Sequence, residues 1–246
     1  MNSISRLTCR QAAPAPGGCC VSRGSMNRMI APGDIPQDLA ALKRLIQRKW
    51  PEAVGLASER LDLAFRTGLP ALDALFPHEG IPCGQLIEIT GGPSSGKTTL
   101  LLTLLASLSR SGRAVYIDLS RSFFPAAAAA CGVDLERLLT VAPANGPTAL
   151  RVAELLLQSR IASWIVLDLV GQKEPLPGLM LHRLRLKVSR SRGLVLLLTE
   201  NNSGVIPPSM ASLRLAVARA GRGVRLTVAR SRICKEGESV EVCFDE

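Results

Sequence analysis

Aromatic residues make up only 3% of the 246-residue chain, so its core must be assembled from Leu, Val, Ile and Ala within an apolar fraction of 47%. So few rings also argue against a nucleic-acid reader that works by stacking bases. Histidine is nearly absent, with only His78 and His182. The seven cysteines (Cys9, Cys19, Cys20, Cys83, Cys131, Cys234 and Cys243) contain no C-x-x-C pair. A zinc site is therefore not expected, and a reduced, cytoplasmic setting is the plain reading. No apolar run reaches membrane-span length. The N-terminal residues carry Arg6, Arg10 and Arg23 without a continuous apolar segment, so neither a membrane partner nor a signal peptide is expected. Acid is scarce in the last third: between Leu179 and Lys235 only Glu200 is acidic.

Base is what that stretch holds instead. Arg183, Arg185, Lys187, Arg190, Arg192, Arg214, Arg219, Arg222, Arg225, Arg230, Arg232 and Lys235 all fall there, and the whole chain has a formal net charge of +10. A one-sign field of this kind attracts phosphate backbones and raises association rates. It serves equally as a solvated face or as a surface for an acidic protein partner.

The most specific stretch is Gly91-Gly92-Pro93-Ser94-Ser95-Gly96-Lys97-Thr98-Thr99, which has the pattern G-x-x-x-x-G-K-T. Gln85–Thr90 before it reads as a buried strand, and Leu100–Leu108 after it as a helix. That is the context a phosphate-binding loop requires. Glycine at 91 and 96 permits torsions that other residues resist. Backbone N–H groups then face a phosphate at a helix N-terminus. Lys97 would reach the β- and γ-phosphates of ATP, and the Thr98 hydroxyl would help hold Mg²⁺. The alternative is a glycine turn that binds nothing.

In chain order, residues 1–33 read as a disordered tail. Residues 34–66 read as an N-terminal helical segment. Within it Leu39, Leu42, Leu45, Ile46 and Trp50 form one apolar stripe. The stripe packs either on its own domain or on a neighbouring subunit or partner. Residues 67–246 read as an ATP-binding core. Arg113–Asp118 is a strand, Pro147–Arg160 an amphipathic helix and Trp164–Asp168 an apolar strand ending in an acid. Leu179–Ser189 is a basic helix and Gly193–Glu200 another buried strand. Ser212–Arg219 and Gly223–Arg230 alternate in polarity around Gly221-Arg222, a hairpin signal.

The passage Thr67–Leu108 resembles the start of a RecA-type ATPase core. It carries Leu72-Asp73, Gly80-Ile81-Pro82-Cys83-Gly84, Glu88 and Pro93–Leu100 in the family's order. The resemblance continues to residue 246. It implies a RecA-like P-loop NTPase fold: α/β, a mostly parallel sheet flanked by helices, with an antiparallel C-terminal extension. It assigns Asp168 to Walker B, holding Mg²⁺ through a water. It sets Arg230 and Arg232 where the family has a basic pair reaching a neighbouring subunit's nucleotide, which implies self-association. It also puts Arg183, Arg190 and Arg192 near the family's central DNA face.

Departures from that pattern bear on function. The family's water-activating glutamate is matched by Ser120, and a serine cannot act as that base at neutral pH. The adenine-stacking tyrosine is matched by Ala127 and the γ-phosphate-sensing glutamine by Glu200. ATP binding with slow or absent hydrolysis is therefore expected, with Glu200 and Asp118 as weak substitutes for positioning water. In architecture the chain is similar to short ImuA-type RecA relatives, which accompany an error-prone polymerase. Three classes stay open: an ATP-binding protein of DNA repair, recombination or the SOS response contacting single-stranded DNA non-specifically; a non-catalytic scaffold recruiting a translesion polymerase complex; and a regulatory ATPase of another RecA-like branch.

Overall fold

A computed structural model describes residues 64–244 except 192 and 202, together with Met29, Ile30, Ala41, Arg44, Leu45 and Arg48. The strands, in chain order, are β1 (Met29–Ile30), β2 (Ala64–Phe65), β3 (Ile81–Pro82), β4 (Gln85–Gly91), β5 (Ala114–Asp118) and β6 (Leu138–Val141). They continue as β7 (Trp164–Asp168), β8 (Leu194–Glu200), β9 (Leu213–Ala220), β10 (Gly223–Ser231) and β11 (Ser239–Cys243). The helices are α1 (Pro70–Asp73), α2 (Lys97–Ser111), α3 (Pro125–Ala130), α4 (Gly146–Ser159) and α5 (Gly178–Ser191).

Nine strands form one sheet in the order β1-β6-β5-β7-β8-β4-β9-β10-β11. Pairing is parallel from β1 through β9, then antiparallel for β9–β10 and β10–β11. The expected class, a mostly parallel sheet with an antiparallel C-terminal extension, is what the chain adopts. Strand β4 lies between β8 and β9, so the loop that follows it emerges mid-sheet, where neighbouring strand tips surround it.

Side chains alternate across this sheet with the two-residue period of a strand. Ile87, Ile89, Trp164 and Val166 face one core, which α2 covers with Leu101, Leu104, Leu105 and Leu108. Leu86, Ile165 and Leu167 face the other, covered by Leu150 and Leu157 of α4 and by Leu181, Leu184 and Val188 of α5. Each fully buried Leu contributes roughly 1.5–3 kcal/mol of transfer free energy. Parallel strands covered on both sides read as continuous apolar runs, which is why β7 and β8 were visible in the sequence.

Helix starts follow local chemistry. Asn145 caps α4, its side chain accepting from the Thr148 N–H at 2.9 Å, with Pro147 in the first turn. At α1, Asp73 is turned back to accept from both the N–H and the hydroxyl of Thr67, at 2.9 and 2.8 Å. The Thr67…Leu72-Asp73 motif is therefore a buried clasp that fixes the chain's approach to β3 and β4. Gly221-Arg222 forms the two-residue connection between β9 and β10, with Gly221 at φ 53 and Gly223 paired to Ala220.

Two short strands lie where the sequence pattern predicts none. Met29–Ile30, inside the segment expected to be a tail, pairs in parallel with Thr140 and Val141. Ala64–Phe65, inside the expected helical segment, pairs with β3. Two residues are too few for a period to register. Ala41, Arg44, Leu45 and Arg48 are helical, as the stripe predicts, and Leu45 packs on the core of α4 and α5. The rest of that stripe and the tail through residue 28 lie outside the described residues. Among the described residues no helix is long and apolar enough to cross a membrane.

Candidate nucleotide site

The site begins where β4 ends. Gly91 is the last residue of that strand, and α2 starts six residues later at Lys97. Residues 92–96 turn the chain through the gap. Gly96 sits at φ +86, and a Cβ there would run into Val224 Cγ1 of β10, so this N-cap accepts only glycine. A Cβ on Gly91 would meet Ser95 Oγ and the Val217 carbonyl. Ser94 holds φ 56 without being glycine, a conformation costing on the order of 1 kcal/mol. Strain of that kind persists only where surrounding structure imposes it.

The loop's polar groups are left for a ligand. No side chain caps α2, so its first N–H groups and the positive end of its dipole are free to meet an anion. Lys97 is 7% exposed, and its Nζ donates at 2.9 Å to the Gly92 carbonyl, which folds the ammonium over the curl. The Ser95 hydroxyl is buried without a partner, and an unmade bond of that kind costs roughly 1–3 kcal/mol. Thr98 and Thr99 are exposed at the helix start. An oxyanion fits this donor set, which lies within the stretch Gly91 to Thr99.

Across β8 from β4 lies an acidic pair. Asp118 and Asp168 end the adjacent parallel strands β5 and β7 in register, and both are almost fully buried. Asp118 accepts from the N–H groups of Ser122 (3.1 Å) and Phe123 (3.0 Å). Asp168 accepts from Tyr116 Oη at 2.8 Å, Ser120 Oγ at 3.2 Å and the Val170 N–H at 3.0 Å, with Ser122 Oγ at 3.5 Å. Ser120 Oγ also lies 3.1 Å from Asp118 and 2.7 Å from Ser122 Oγ. The residue matched to the family's base is thus a hydroxyl bridging two carboxylates.

Burial pushes the Asp168 carboxyl above its usual range, and the charge of Asp118 adds to this, while bonds from Tyr116, Val170 and Ser120 pull the other way. The Tyr116 hydroxyl is held well above its ordinary value, first by burial and then by Asp168, and so stays a donor. Asp168 has no ion-pair partner among the described residues. A divalent cation fits that deficit: when bound, it would supply positive charge to Asp168 and to the phosphates at Lys97 and Thr98.

A consequence for stability follows. The raised value means the ionised carboxylate is disfavoured in the fold, so the folding free energy that protonated Asp168 favours is lost as pH rises through its folded pKa. Asp168→Asn removes that charge while keeping its acceptor for Val170, and the Tyr116 hydroxyl can rotate to accept from the new amide. The variant without ligand is expected to melt a few degrees higher than wild type at pH 7, and the gap should close toward pH 4. Mg²⁺-dependent nucleotide affinity should fall in the same variant. Thermal melts across pH check the first point, and nucleotide titrations with Mg²⁺ or EDTA check the second.

Glu200, offered as a possible positioner of water, is the exposed last residue of β8 and pairs in register with Gly91. The next residue is the one that touches the loop. Asn201 Oδ1 accepts from Thr90 Oγ1 at 3.2 Å, and its Nδ2 lies 4.0 Å from the Cβ position of Gly92. The signal that could have found Asn201 is the end of the apolar run: the first residue clear of a buried strand tip is the one free to turn.

The distal basic residues separate into kinds. Arg230 is exposed on β10, paired with Arg214 of β9. Gly91 aligns with Val217 and Leu226, four residues along β10, so Arg230 sits roughly 13 Å toward the other end of the sheet. Arg232 donates to the Ser209 carbonyl at 2.9 Å. Neither is placed to serve its own chain's loop. Arg183 and Lys187 both bond the buried Glu154, at 3.2 and 3.1 Å, and Arg214 bonds the buried Glu88. Arg190 is exposed on α5, and Arg192 lies outside the described residues.

A mid-sheet strand, a glycine curl of five residues leading to Lys97, and acids on the tips of β5 and β7 define an α/β protein of the phosphate-loop class. The sequence also matches the family described as RecA N-terminal domain over residues 53–179, just over half of the chain. The Protein RecA of Chloroflexus aurantiacus is 34% identical over 186 residues, covering 66% of this chain and 53% of that protein. That of Roseiflexus sp. (strain RS-1) gives the same figures. That of Lactobacillus delbrueckii subsp. bulgaricus is 37% identical over 140 residues, 55% of this chain and 42% of that one. The chain belongs to the RecA N-terminal domain family, and it spans about half the length of the curated relatives it matches.

Proposed function

We propose that the chain binds ATP with Mg²⁺ at the Gly91–Thr99 loop and acts in DNA recombination or repair, in contact with single-stranded DNA, with hydrolysis slow or absent. The observation that carries this reading is the loop itself: an uncapped helix N-terminus, a folded-in lysine and an unpartnered buried serine fall within one short curl. Weak hydrolysis follows from Ser120, whose hydroxyl is engaged with two carboxylates and has no base strength to take a proton from water. DNA contact rests on the exposed arginines Arg190, Arg219, Arg222 and Arg230, and on membership of the RecA N-terminal domain family.

Binding of a fluorescent ATP analogue and phosphate release, each with and without oligo-dT, test the proposal. Expected are Mg²⁺-dependent binding, release near background and no stimulation by DNA. Ser120→Glu should raise release about tenfold or more, since a positioned general base contributes roughly 10²–10⁴. Robust DNA-stimulated turnover by the wild-type protein would overturn the expectation of weak hydrolysis.

The second reading is a RecA-like scaffold of the ImuA type that recruits an error-prone polymerase. It draws support from Arg183: on the expected DNA face, its guanidinium is already committed to Glu154. DNA affinity that is weak and insensitive to salt would favour this second reading.

A further inference from the structure

Large apolar side chains are exposed at only three described positions, Phe124, Leu179 and Leu186, and two of the three share helix α5. Leu179 is 73% exposed and Leu186 41%. They are seven residues apart, two turns, and so lie one above the other. The helix is already anchored from its other side, where Leu181, Leu184 and Val188 are buried. The outer leucines therefore lie on the side of α5 opposite its packed face.

Their neighbours on the outer face are His182, Arg183, Ser189 and Arg190, with Arg185 half-buried. No acid lies on α5. Glu154, the acid packed against it, is spent on Arg183 and Lys187. Arg185 and Arg190 have no ion pair among the described residues. The face thus combines two leucine anchors at heptad spacing with unbalanced positive charge.

We infer that the outer face of α5 is a docking site for an acidic amphipathic segment of a protein partner. Charge selects this occupant. A second copy of the chain meeting this face symmetrically would set cations against cations. A nucleic acid would use the arginines but leave Leu179 and Leu186 bare in solvent. An acidic helix with apolar residues at i, i+3 or i+4, and i+7 covers the leucines and meets the arginines at once. The inference stands apart from the nucleotide site, which lies at the strand tips and uses none of these side chains.

The test is selection from a displayed library of 16-residue helical peptides with randomised positions, using the whole protein, followed by titration of the enriched peptides. Expected are sequences rich in Asp and Glu with Leu or Phe at helical spacing. Their binding should fall at least tenfold with Leu179→Ser/Leu186→Ser and severalfold with Arg190→Glu, while oligo-dT binding is unchanged by the leucine pair. Basic or unpatterned enrichment, or peptide binding indifferent to both variants, would sink the idea. Loss of oligo-dT binding in the leucine variant would hand the face to nucleic acid. A wild-type oligomer made monomeric by that variant would hand it to self-association. Both leucines are exposed, so the variant is expected to fold, and a melt matching wild type confirms it.

Discussion

Lys97→Ala will weaken ATP binding by a hundredfold or more and leave the stability of the ligand-free protein almost unchanged. The two halves of that expectation have different causes. Without ligand the ammonium makes one bond, to the Gly92 carbonyl, in a loop that exposes Pro93, Ser94 and Thr98 to water. Losing a single bond of this sort costs about 1 kcal/mol, and removing an almost buried charge returns part of it. With a triphosphate present, the same ammonium faces two phosphate groups inside a curl whose other donors are neutral N–H groups. Charge-assisted bonds there contribute roughly 1.5–3 kcal/mol each, and each 1.4 kcal/mol is tenfold in affinity. Titration of a fluorescent analogue reads the affinity. Thermal melts give an independent check, because ligand at a hundred times its Kd adds about 2.7 kcal/mol to wild-type stability by mass action. The variant should show no such shift at the same concentration. A variant that kept the ligand-induced shift would place the nucleotide elsewhere, and the loop would then be a turn between strand and helix.

Why the loop was legible and its surroundings less so is a matter of sequence distance. Strand β4, the curl and α2 are contiguous, and each has a local signature: Ile87 and Ile89 on one face, glycine at two tight positions, apolar leucines at helical spacing. The same holds for the β9–β10 hairpin around Gly221. Partnerships between strands have no local signature. Tyr116 and Asp168 meet across 52 residues, and Glu88 and Arg214 across 126. Counting arginines from Leu179 onward described a uniform basic field, whereas Arg183, Lys187, Arg214, Arg225 and Lys235 each have a carboxylate partner. Tyr116 carries no sequence signature of a site residue, because a tyrosine inside an apolar strand reads as core. It is core, packed against Phe123 with tilted rings 4.6 Å apart, and its hydroxyl also serves Asp168. Asp73 and Glu88 stand in the sequence only as points of resemblance. The fold gives both a structural task, holding Thr67 in one case and Arg214 in the other.

Arg214→Met is expected to be among the most damaging single changes, although the residue touches neither the loop nor the acidic pair. Glu88 is 3% exposed on β4, three residues before Gly91. Its carboxylate accepts from Thr199 of β8 at 2.9 Å and from Arg214 of β9 at 2.7 Å, so it ties together the three strands that flank the loop. Arg214 also donates at 3.3 Å to the Ile206 carbonyl, which fastens the connection between β8 and β9 that begins with Asn201. Removing the guanidinium leaves a desolvated carboxylate with one neutral donor. Breaking a buried pair from one side costs about 3–5 kcal/mol, a large share of the 5–15 kcal/mol typical of a whole domain. Chemical denaturation should therefore show a much lower midpoint at unchanged slope. Replacing both partners, as Glu88→Leu with Arg214→Met, should recover most of the loss, because a pair exchanged for apolar groups leaves no stranded charge. The unpaired Thr199 hydroxyl would keep a residue of about 1 kcal/mol. If the double variant is no more stable than Arg214→Met alone, then Arg214 acts mainly through its bond to Ile206. In that case the loss would lie in the β8–β9 connection, and nucleotide affinity would stay low in the double variant even though the buried charge is gone.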